Sequence, residues 1–322
     1  MEVECKTKTE DEENDVEIKD KIEYQVQATN RGASVKVEYK NEIEMEDVET
    51  ETETQYEIFF DRIVEFVGSN SDGSYSFENN DEELTVIELR DWDRFSEIET
   101  SDDGVVSHFF LKSTNGMIEF KFTISRADEG AAVTANKMKI DFRLTGFPWT
   151  REDSDVALFC SVESKKKVEV EREDVDPTRK GKAKDVMISF NEALEGSGIV
   201  PFGSYTWATA AEVTSLGNST NTTTGDVAVS STGDAATPEG DATNGTQAVT
   251  SVVRVIATSP EMQVDEKMEV IAFSFIGDGS NNADEVYWDP EAGIAYASGS
   301  SAVRAFGLVM SGIASALLVM LM

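Results

Sequence analysis

A two-residue alternation of apolar and polar side chains, repeated along most of the chain, limits the possible folds more than any other feature. Its clearest case is residues 137–144, where Met138, Ile140 and Phe142 alternate with charged residues. A strand places such apolar side chains on one face, whereas a helix requires a period of about 3.6 residues. The alternation begins at Val16 and returns in many later segments, which predicts an all-β chain.

Clusters of turn-forming residues separate the alternating segments. They are Ser71-Asp72-Gly73, Asp102-Asp103-Gly104, Asn115-Gly116 and Asp128-Glu129-Gly130. Asn115-Gly116 joins two apolar runs and predicts a β-hairpin with a type I′ turn. A turn signal every 8–12 residues or so favours an antiparallel β-sandwich or a related multi-stranded β architecture.

Composition divides the chain into four parts. Residues 1–15 are predicted to be a charged, flexible lead, and residues 16–297 an acidic all-β extracellular region. Within that region, residues 216–249 are rich in Thr, Ser and Asn and nearly free of large apolar side chains. Such a segment buries too little surface to fold, so we expect a disordered loop. Residues 298–322 are predicted to be a C-terminal hydrophobic anchor.

The C-terminal tail carries no charge from residue 305 to residue 322. As a hydrophobic helix these residues would span about 27 Å, close to the ~30 Å of a bilayer core. The small residues before it, Ser298, Gly299 and Ser300, are candidate attachment positions for a GPI anchor. A true transmembrane helix is the alternative, because the spacer before the apolar run is shorter than usual.

The first residues are charged and include no basic and apolar secretory signal. A surface protein needs such a signal, so this interpretation expects one ahead of Met1. A cytosolic tail-anchored protein is the alternative. Three N-glycosylation sequons, at Asn218, Asn221 and Asn244, favour the secretory route because all lie in the exposed polar loop.

The chain has 63 acidic and 28 basic residues and a formal net charge of -35. This charge disfavours nucleic acid and anionic lipid headgroups as partners and favours cations, above all Ca²⁺, which binds carboxylate oxygens. Two acidic turns supply candidate ligands, namely Asp72, Glu78, Asp81, Asp278, Asp284 and Glu285. Neither turn matches an EF-hand, so we expect weak binding at many carboxylates. The alternative is that the acidity serves only solubility.

The chain has two cysteines, Cys5 and Cys160. In an oxidising compartment they are expected to form a disulfide. The alternative is that Cys160 is a small buried apolar residue, because it lies in the run Ala157-Leu158-Phe159-Cys160.

No motif of an enzyme active site is present in the sequence. His108 is the sole histidine and lies in a predicted strand, where a structural role is usual. The G-x-S-x-G and phosphate-binding glycine motifs are missing. We therefore expect a non-enzymatic protein without a cofactor other than weakly bound Ca²⁺. A hydrolase with paired acids would require a carboxylate pocket, and the abundance of acids allows no pair to be singled out.

Several short segments together resemble one family. They are Val35-Lys36-Val37-Glu38-Tyr39-Lys40, Tyr56-Glu57-Ile58-Phe59-Phe60-Asp61-Arg62, Gly146-Phe147-Pro148-Trp149, Val286-Tyr287-Trp288-Asp289-Pro290 and the apolar C-terminus. From Val16 to the tail the chain resembles the skeletal organic matrix proteins of stony corals. The resemblance implies secretion, membrane association and occlusion in an aragonite skeleton. It carries over no catalytic or metal-binding residues.

Charge, tail and resemblance lead to one functional expectation. The protein is expected to be an acidic, secreted matrix protein, associated with a membrane through its C-terminus, that binds calcium or a carbonate mineral surface. The alternative is a glycosylated, membrane-anchored surface domain used in adhesion or recognition, because loops on a rigid β scaffold commonly bind partners.

Overall fold

The structure is a computed structural model that describes residues 1–11, 16–45, 48–78, 81–126, 133–164, 170–175, 185–190, 199–217, 247–260, 268–277 and 283–298. These residues form strands and no helix, and all the strands belong to one antiparallel hydrogen-bonded sheet. The prediction of an all-β antiparallel fold is thereby confirmed.

The strands follow each other with short connections in most of the described chain. In chain order they are β1 (Glu2–Asp11), β2 (Val16–Thr29), β3 (Gly32–Met45), β4 (Val48–Val67), β5 (Glu82–Glu88), β6 (Glu99–Thr100), β7 (Val106–Lys112), β8 (Ile118–Ser125), β9 (Lys137–Thr145), β10 (Asp155–Ser164), β11 (Val170–Val175), β12 (Asp185–Phe190), β13 (Ile199–Ala208), β14 (Ala210–Gly217), β15 (Gln247–Thr258), β16 (Met268–Ile276), β17 (Glu285–Trp288) and β18 (Glu291–Ser298).

The sheet combines local hairpins with pairings between distant segments. One path of neighbours runs β1-β2-β3-β4-β10-β16-β15-β14-β17-β9-β8-β7-β6. A branch runs from β9 through β18, β13 and β12 to β11, and β5 lies beside the end of β4. The central strand β10 thus joins the first hairpins to the last third of the chain.

The sheet folds over and packs on itself around one core. Phe60 of β4 lies 4.5 Å from Phe120 of β8, and Phe273 of β16 lies 4.8 Å from Trp288 of β17, measured between ring centroids. Neither pair of strands is hydrogen-bonded in the sheet, so these contacts join opposing faces. Burial of aromatic side chains in this way is a main source of stability in β proteins.

Tyr56 of β4 makes a polar connection across the same core. Its hydroxyl lies 2.8 Å from the carbonyl oxygens of both Ser204 in β13 and Gly293 in β18, to which it donates. Burial raises the pKa of Tyr56, and the two backbone hydrogen bonds offset this only in part. The phenol therefore stays neutral and holds β4 against the opposite part of the sheet.

The predicted hairpin at Asn115-Gly116 is confirmed, although its turn differs from type I′. The amide of Gly116 donates to the carbonyl of Ser113 over 2.8 Å, and Gly116 has a φ of 70°. The turn therefore spans residues 113–116 and ends in a left-handed glycine. The loop between β7 and β8, residues 113–117, has five residues rather than two. Within it, Asn115 Oδ1 accepts a hydrogen bond from the Met117 amide.

The strand bounds differ from the predicted limits of the parts at two places. Residues 2–11, expected to be a flexible lead, form β1, because their backbone pairs in register with β2 along its whole length. The expected loop 216–249 is shorter, since β14 continues to Gly217 and β15 begins at Gln247. Residues 218–246 lie outside the described residues.

The predicted C-terminal helix and anchor cannot be placed. Residues 299–322 lie outside the described residues, and Ser298 is the last residue of β18. Among the residues that the structure does describe, no helix has the length and apolarity to cross a membrane.

We expect Gly293→Ala to destabilise the fold, because β18 approaches the segment before β9 too closely for a side chain. A Cβ atom at position 293 would lie 2.3 Å from the carbonyl oxygen of Asn136. Overpacking against backbone typically costs about 1–3 kcal/mol, measured as a fall in the free energy of unfolding in urea.

Gly116→Ala is the matched control for that measurement. A Cβ atom there would meet nothing within 4 Å, so its cost is limited to the left-handed backbone, about 1 kcal/mol. A larger loss for Gly116→Ala than for Gly293→Ala would contradict the close packing of β18.

Candidate functional site

The described part of the first predicted calcium turn, residues 69–78 and Asp81, covers the outer face of β4, β10 and β16. The ring of Tyr75 lies 5.4 Å from that of Phe66 and 4.9 Å from that of Phe159, both in edge-on contact. The Tyr75 amide also donates to Ser274 Oγ of β16 over 3.0 Å. These contacts form a second, smaller apolar cluster outside the main core.

Two of the predicted ligands in this turn are occupied by the turn itself. Asp81 accepts hydrogen bonds from the Ser69 amide at 2.9 Å and the Ser76 amide at 2.7 Å. Asp72 accepts from the Ser74 amide at 3.0 Å and the Ser74 hydroxyl at 2.7 Å, and these bonds lower the pKa of Asp72. Both carboxylates therefore stabilise the shape of the turn.

The third predicted ligand, Glu78, does not complete a site. It is exposed, and its amide donates to Ser76 Oγ over 3.3 Å. Within the part of the chain that the structure describes, no group of three or more Asp, Glu, His or Cys residues could hold a metal ion.

The second predicted turn is only partly described, because Asp278 lies outside the described residues. Asp284 is exposed, and its carbonyl accepts from the Gly146 amide over 2.8 Å. Glu285 pairs with Arg143, with 3.5 Å between Oε1 and Nε. A glutamate that already has a guanidinium partner is a weaker calcium ligand, because the cation must displace that partner.

Glu285 belongs to a ladder of opposite charges on β9, on β17 and in the turn that follows β17. Lys139 contacts Asp141 at 2.8 Å and Asp289 at 3.2 Å, and the Tyr287 hydroxyl donates to Asp141 over 2.6 Å. Burial and the Asp141 carboxylate raise the pKa of Tyr287 to about 12. The acidic residues of this ladder therefore already have basic partners.

The other predicted positions have simple surroundings. His108 Nε2 lies 3.0 Å from Glu99 Oε2 at an exposed strand pair, without a nucleophile beside it among its contacts. The glycosylation positions Asn218, Asn221 and Asn244, and the anchor positions Gly299 and Ser300, lie outside the described residues. Of the anchor candidates only Ser298 is placed, at the end of β18.

Cys160 does not form the predicted disulfide with Cys5. It is a free thiol that is fully buried in the core between β4 and β16, and burial raises its pKa. Cys5 lies in β1, opposite Ile22 of β2 and separated from β10 by three intervening strands. Of the alternatives for Cys160, the buried apolar role agrees with the structure.

Glu65 is a buried carboxylate with a structural role that the sequence pattern did not predict. Its Oε1 accepts from the Thr150 amide at 2.8 Å, the Arg151 amide at 3.1 Å and the Ser154 hydroxyl at 2.7 Å. Its Oε2 accepts from the Thr85 hydroxyl at 2.7 Å and from the Thr150 hydroxyl. The single sequence signal was a charged residue inside the apolar run of residues 63–67. Glu65 thus ties β4, β5 and the segment before β10 together.

The first four strands bring glutamates from distant segments into common rows. One row across β1, β2, β3 and β4 consists entirely of glutamate and is formed by Glu10, Glu17, Glu44 and Glu49. Two residues along the strands, the next aligned row is charge-balanced, with Lys8 and Lys19 opposite Glu42 and Glu51. Lys19 Nζ lies 3.9 Å from Glu42 Oε2 in this row. Strand pairing therefore brings four glutamates from distant parts of the chain into one row of this four-stranded segment.

Nearer the core, the same face carries a mixture of charges. Glu38 lies between Lys36 at 3.1 Å and Lys40 at 3.2 Å, and Lys21 pairs with Glu23 at 2.9 Å. Burial raises the pKa of Glu38, but the two lysines more than offset this and leave that pKa lowered. The row of Glu10, Glu17, Glu44 and Glu49 thus differs from the neighbouring rows, in which lysines accompany the glutamates.

No model of a protein family matches this chain, and no curated protein matches it.

We expect Glu65→Gln to lower the free energy of unfolding at pH 7 by about 2–3 kcal/mol. The glutamine side chain has an NH₂ group where Glu65 has its second carboxylate oxygen. This NH₂ group cannot accept hydrogen bonds, so the N–H and O–H donors that face it lose their acceptor. Burial raises the pKa of Glu65, while bonds from Thr150, Ser154 and Thr85 lower it further than burial raises it. The stabilisation is therefore complete above the unfolded pKa near 4.5 and is lost as the pH falls through the lower folded value.

Urea denaturation of both proteins at pH 7 and again below pH 4 measures this effect. The exposed Glu97→Gln is the control and is expected to change stability little at either pH. An equal loss for both variants, or a difference that does not shrink in acid, would rule out the role assigned to Glu65.

Proposed function

We propose that this chain is a non-enzymatic, acidic extracellular matrix protein that binds calcium weakly at many carboxylates and takes part in forming a calcium carbonate skeleton. Secretion and attachment to a membrane through the C-terminal tail are parts of the same proposal. The resemblance of its sequence to the skeletal matrix proteins of stony corals supports this function, as does the formal net charge of -35.

The observation that carries the proposal is the row formed by Glu10, Glu17, Glu44 and Glu49. Neighbouring strands lie about 4.8 Å apart, so the sheet holds these four backbone positions at that spacing. Like charges directly opposite each other on neighbouring strands destabilise a sheet. Cations bound along the row would reduce this repulsion, so cation binding would stabilise the folded segment.

Such a row suits weak binding to an ion array better than tight binding to one ion. Ca²⁺ is held tightly when about 6–8 oxygens surround it, and residues in a line on one face cannot surround an ion. Each Ca²⁺ would keep most of its water ligands. A mineral face presents many cations at once, so a row of weak contacts gains strength from their number.

The described contacts also favour a non-enzymatic role. The sole histidine is engaged by Glu99 on an exposed strand pair. The most buried carboxylate described above, Glu65, accepts five hydrogen bonds from the chain itself and has no capacity left for a substrate.

We expect replacement of the glutamate row, E10Q/E17Q/E44Q/E49Q, to reduce Ca²⁺ binding and adsorption to calcium carbonate. The matched control D93N/E97Q/D102N/E212Q removes the same charge from four exposed positions outside the row and outside the predicted calcium turns. Calorimetry at physiological salt and depletion of protein from a calcite or aragonite suspension measure the two effects. The row variant should lose clearly more of both than the control.

Two results would contradict the proposal. If the unmodified chain took up no Ca²⁺ at millimolar concentration and did not adsorb, the acidity would serve solubility alone. If both variants lost the same amount, binding would follow net charge and the row would have no special role.

The alternative, a glycosylated adhesion or recognition domain, is favoured by the position of the sequons. Gly217 of β14 pairs with Gln247 of β15, so residues 218–246 are inserted at one end of a hairpin. All three sequons lie within that insertion. An insertion whose two ends are fixed in neighbouring strands is a common place for a binding loop.

Glycosylation of this insertion is tested by expression in a eukaryotic secretory system. We expect removal of N-glycans by an endoglycosidase to lower the mass in the unmodified chain, and no such change in N218Q/N221Q/N244Q. Adhesion lost in that variant, with Ca²⁺ binding retained, would favour the recognition function. An unmodified chain that carries no N-glycan would remove the basis of this alternative.

A further inference from the structure

We propose that the outer edge of β1 pairs with the same edge of a second copy of this chain, antiparallel and with a two-fold axis through Cys5. In an oxidising environment a disulfide between the two Cys5 residues would close this dimer. This inference is independent of the proposed calcium function. It follows from three observations on β1: its pairing, its hydrogen-bond phase and its sequence of charges.

The first observation is that β1 lies at an edge of the sheet. Among the described strands it pairs with β2 alone, from Glu2 opposite Gln25 to Asp11 opposite Val16. Its other edge, ten residues long, has no strand partner within the described residues. An edge of this length exposes a row of backbone donors and acceptors and is a template for pairing with another strand.

The second observation fixes which residues direct their backbone groups outward. The Met1 amine donates to the Val26 carbonyl over 2.8 Å, and the Val26 amide donates to the Met1 carbonyl over 2.7 Å. In an antiparallel ladder such hydrogen-bonded pairs alternate with non-bonded pairs. Odd-numbered residues of β1 therefore bond to β2, and even-numbered residues, from Glu2 to Glu10, offer their amides and carbonyls to the outer edge.

The third observation is that the charges of β1 complement each other in one register. With Cys5 opposite Cys5, Glu4 lies opposite Lys6 and Glu2 lies opposite Lys8, each twice by symmetry. All four are even-numbered, so these pairs coincide with the outward backbone groups. Opposite charges on facing residues stabilise strand pairs, and like charges destabilise them.

Neighbouring registers with the same hydrogen-bond phase lack this complementarity. A shift that centres the axis on Lys6 places Lys6 opposite itself and Glu2 opposite Glu10. A shift that centres it on Glu4 places Glu4 opposite itself. Each shift therefore creates a like-charged pair at or near the axis, so the charges select the register centred on Cys5.

The selected register also meets the geometric requirement for a disulfide. Cys5 would form a non-hydrogen-bonded pair with its copy, in which Cα atoms lie about 4.5 Å apart. Disulfides span Cα separations of about 4.4–6.8 Å. Cys160 does not compete for Cys5, because it is a free, fully buried thiol on β10.

The bond forms by thiol–disulfide exchange with a small-molecule disulfide such as oxidised glutathione. The two Cys5 thiols lose two protons and two electrons and become one disulfide, and the oxidant is reduced to two thiols. The overall charge of -35 opposes association, but at physiological salt it is screened beyond about 8 Å. The complementary charges of the proposed pairing lie on directly opposite residues, where screening is weaker.

The first experiment oxidises the full chain in a glutathione redox buffer with nonionic detergent and maps its disulfides by peptide mass spectrometry. We expect a covalent dimer joined through Cys5 on both sides. Cys5→Ser should abolish the covalent bond and retain a reversible dimer in analytical ultracentrifugation. A monomer under all conditions, or a dimer that lacks the Cys5–Cys5 peptide, would overturn the proposal.

Charge reversal tests the register independently of cysteine chemistry. The variant K6E/K8E makes positions 2, 4, 6 and 8 all acidic, and the variant E2K/E4K makes them all basic. Because like charges then face each other, each variant alone should crosslink about tenfold less. A mixture of the two restores every Glu–Lys pair and should form a mixed dimer at the original yield. This rescue also shows that both variants fold.

The control R90E/K112E reverses two exposed basic residues away from β1 and should leave crosslinking unchanged. Equal loss in the control, or failure of the mixture to recover, would mean that association follows net charge or the tail rather than the β1 edge. A chain that stays monomeric would show that Lys6 and Lys8 protect this edge from pairing.

Discussion

One extra residue in β4, Asp61, decides which side chains of the central strands reach the core. The pairing of β4 with β10 shifts there, with Phe159 opposite Arg62 and Cys160 opposite Phe60. Before this bulge the even-numbered residues of β4 face the core, and after it Ile63 does so. A bulge reverses the alternation because it inserts one residue into one strand alone.

The bulge determines the surroundings of the buried carboxylate Glu65 and of the outer apolar cluster around Phe66. Glu65 falls on the core face, opposite Val156, and is stable there because five donors surround it. Phe66 falls on the outer face, where Tyr75 and Phe159 cover it. The acidic turn of residues 69–81 therefore acts as a cover for this cluster, and its aspartates hold the cover in shape.

Acidic residues thus serve two different purposes in one chain. Asp72, Asp81 and Glu65 accept hydrogen bonds from backbone amides of the chain itself, Asp72 and Asp81 in a surface turn and Glu65 at a buried position. The glutamates at the end of β1–β4 have a different arrangement, since strand register brings like charges side by side. The first group explains stability, and the second gives the proposed calcium function its physical basis.

The sequence by itself determined the all-β class, because an apolar period of two residues has no other stable solution than a strand. It also determined the turn at Asn115-Gly116, where a glycine takes up a left-handed conformation. The tertiary structure alone decided that Glu65 is buried, that Cys160 has no disulfide partner and that residues 2–11 form a strand. Each of these outcomes depends on which distant strands pair and in which register. The local pattern of apolar and polar residues predicts neither the bulge at Asp61 nor the pairing of β1 with β2.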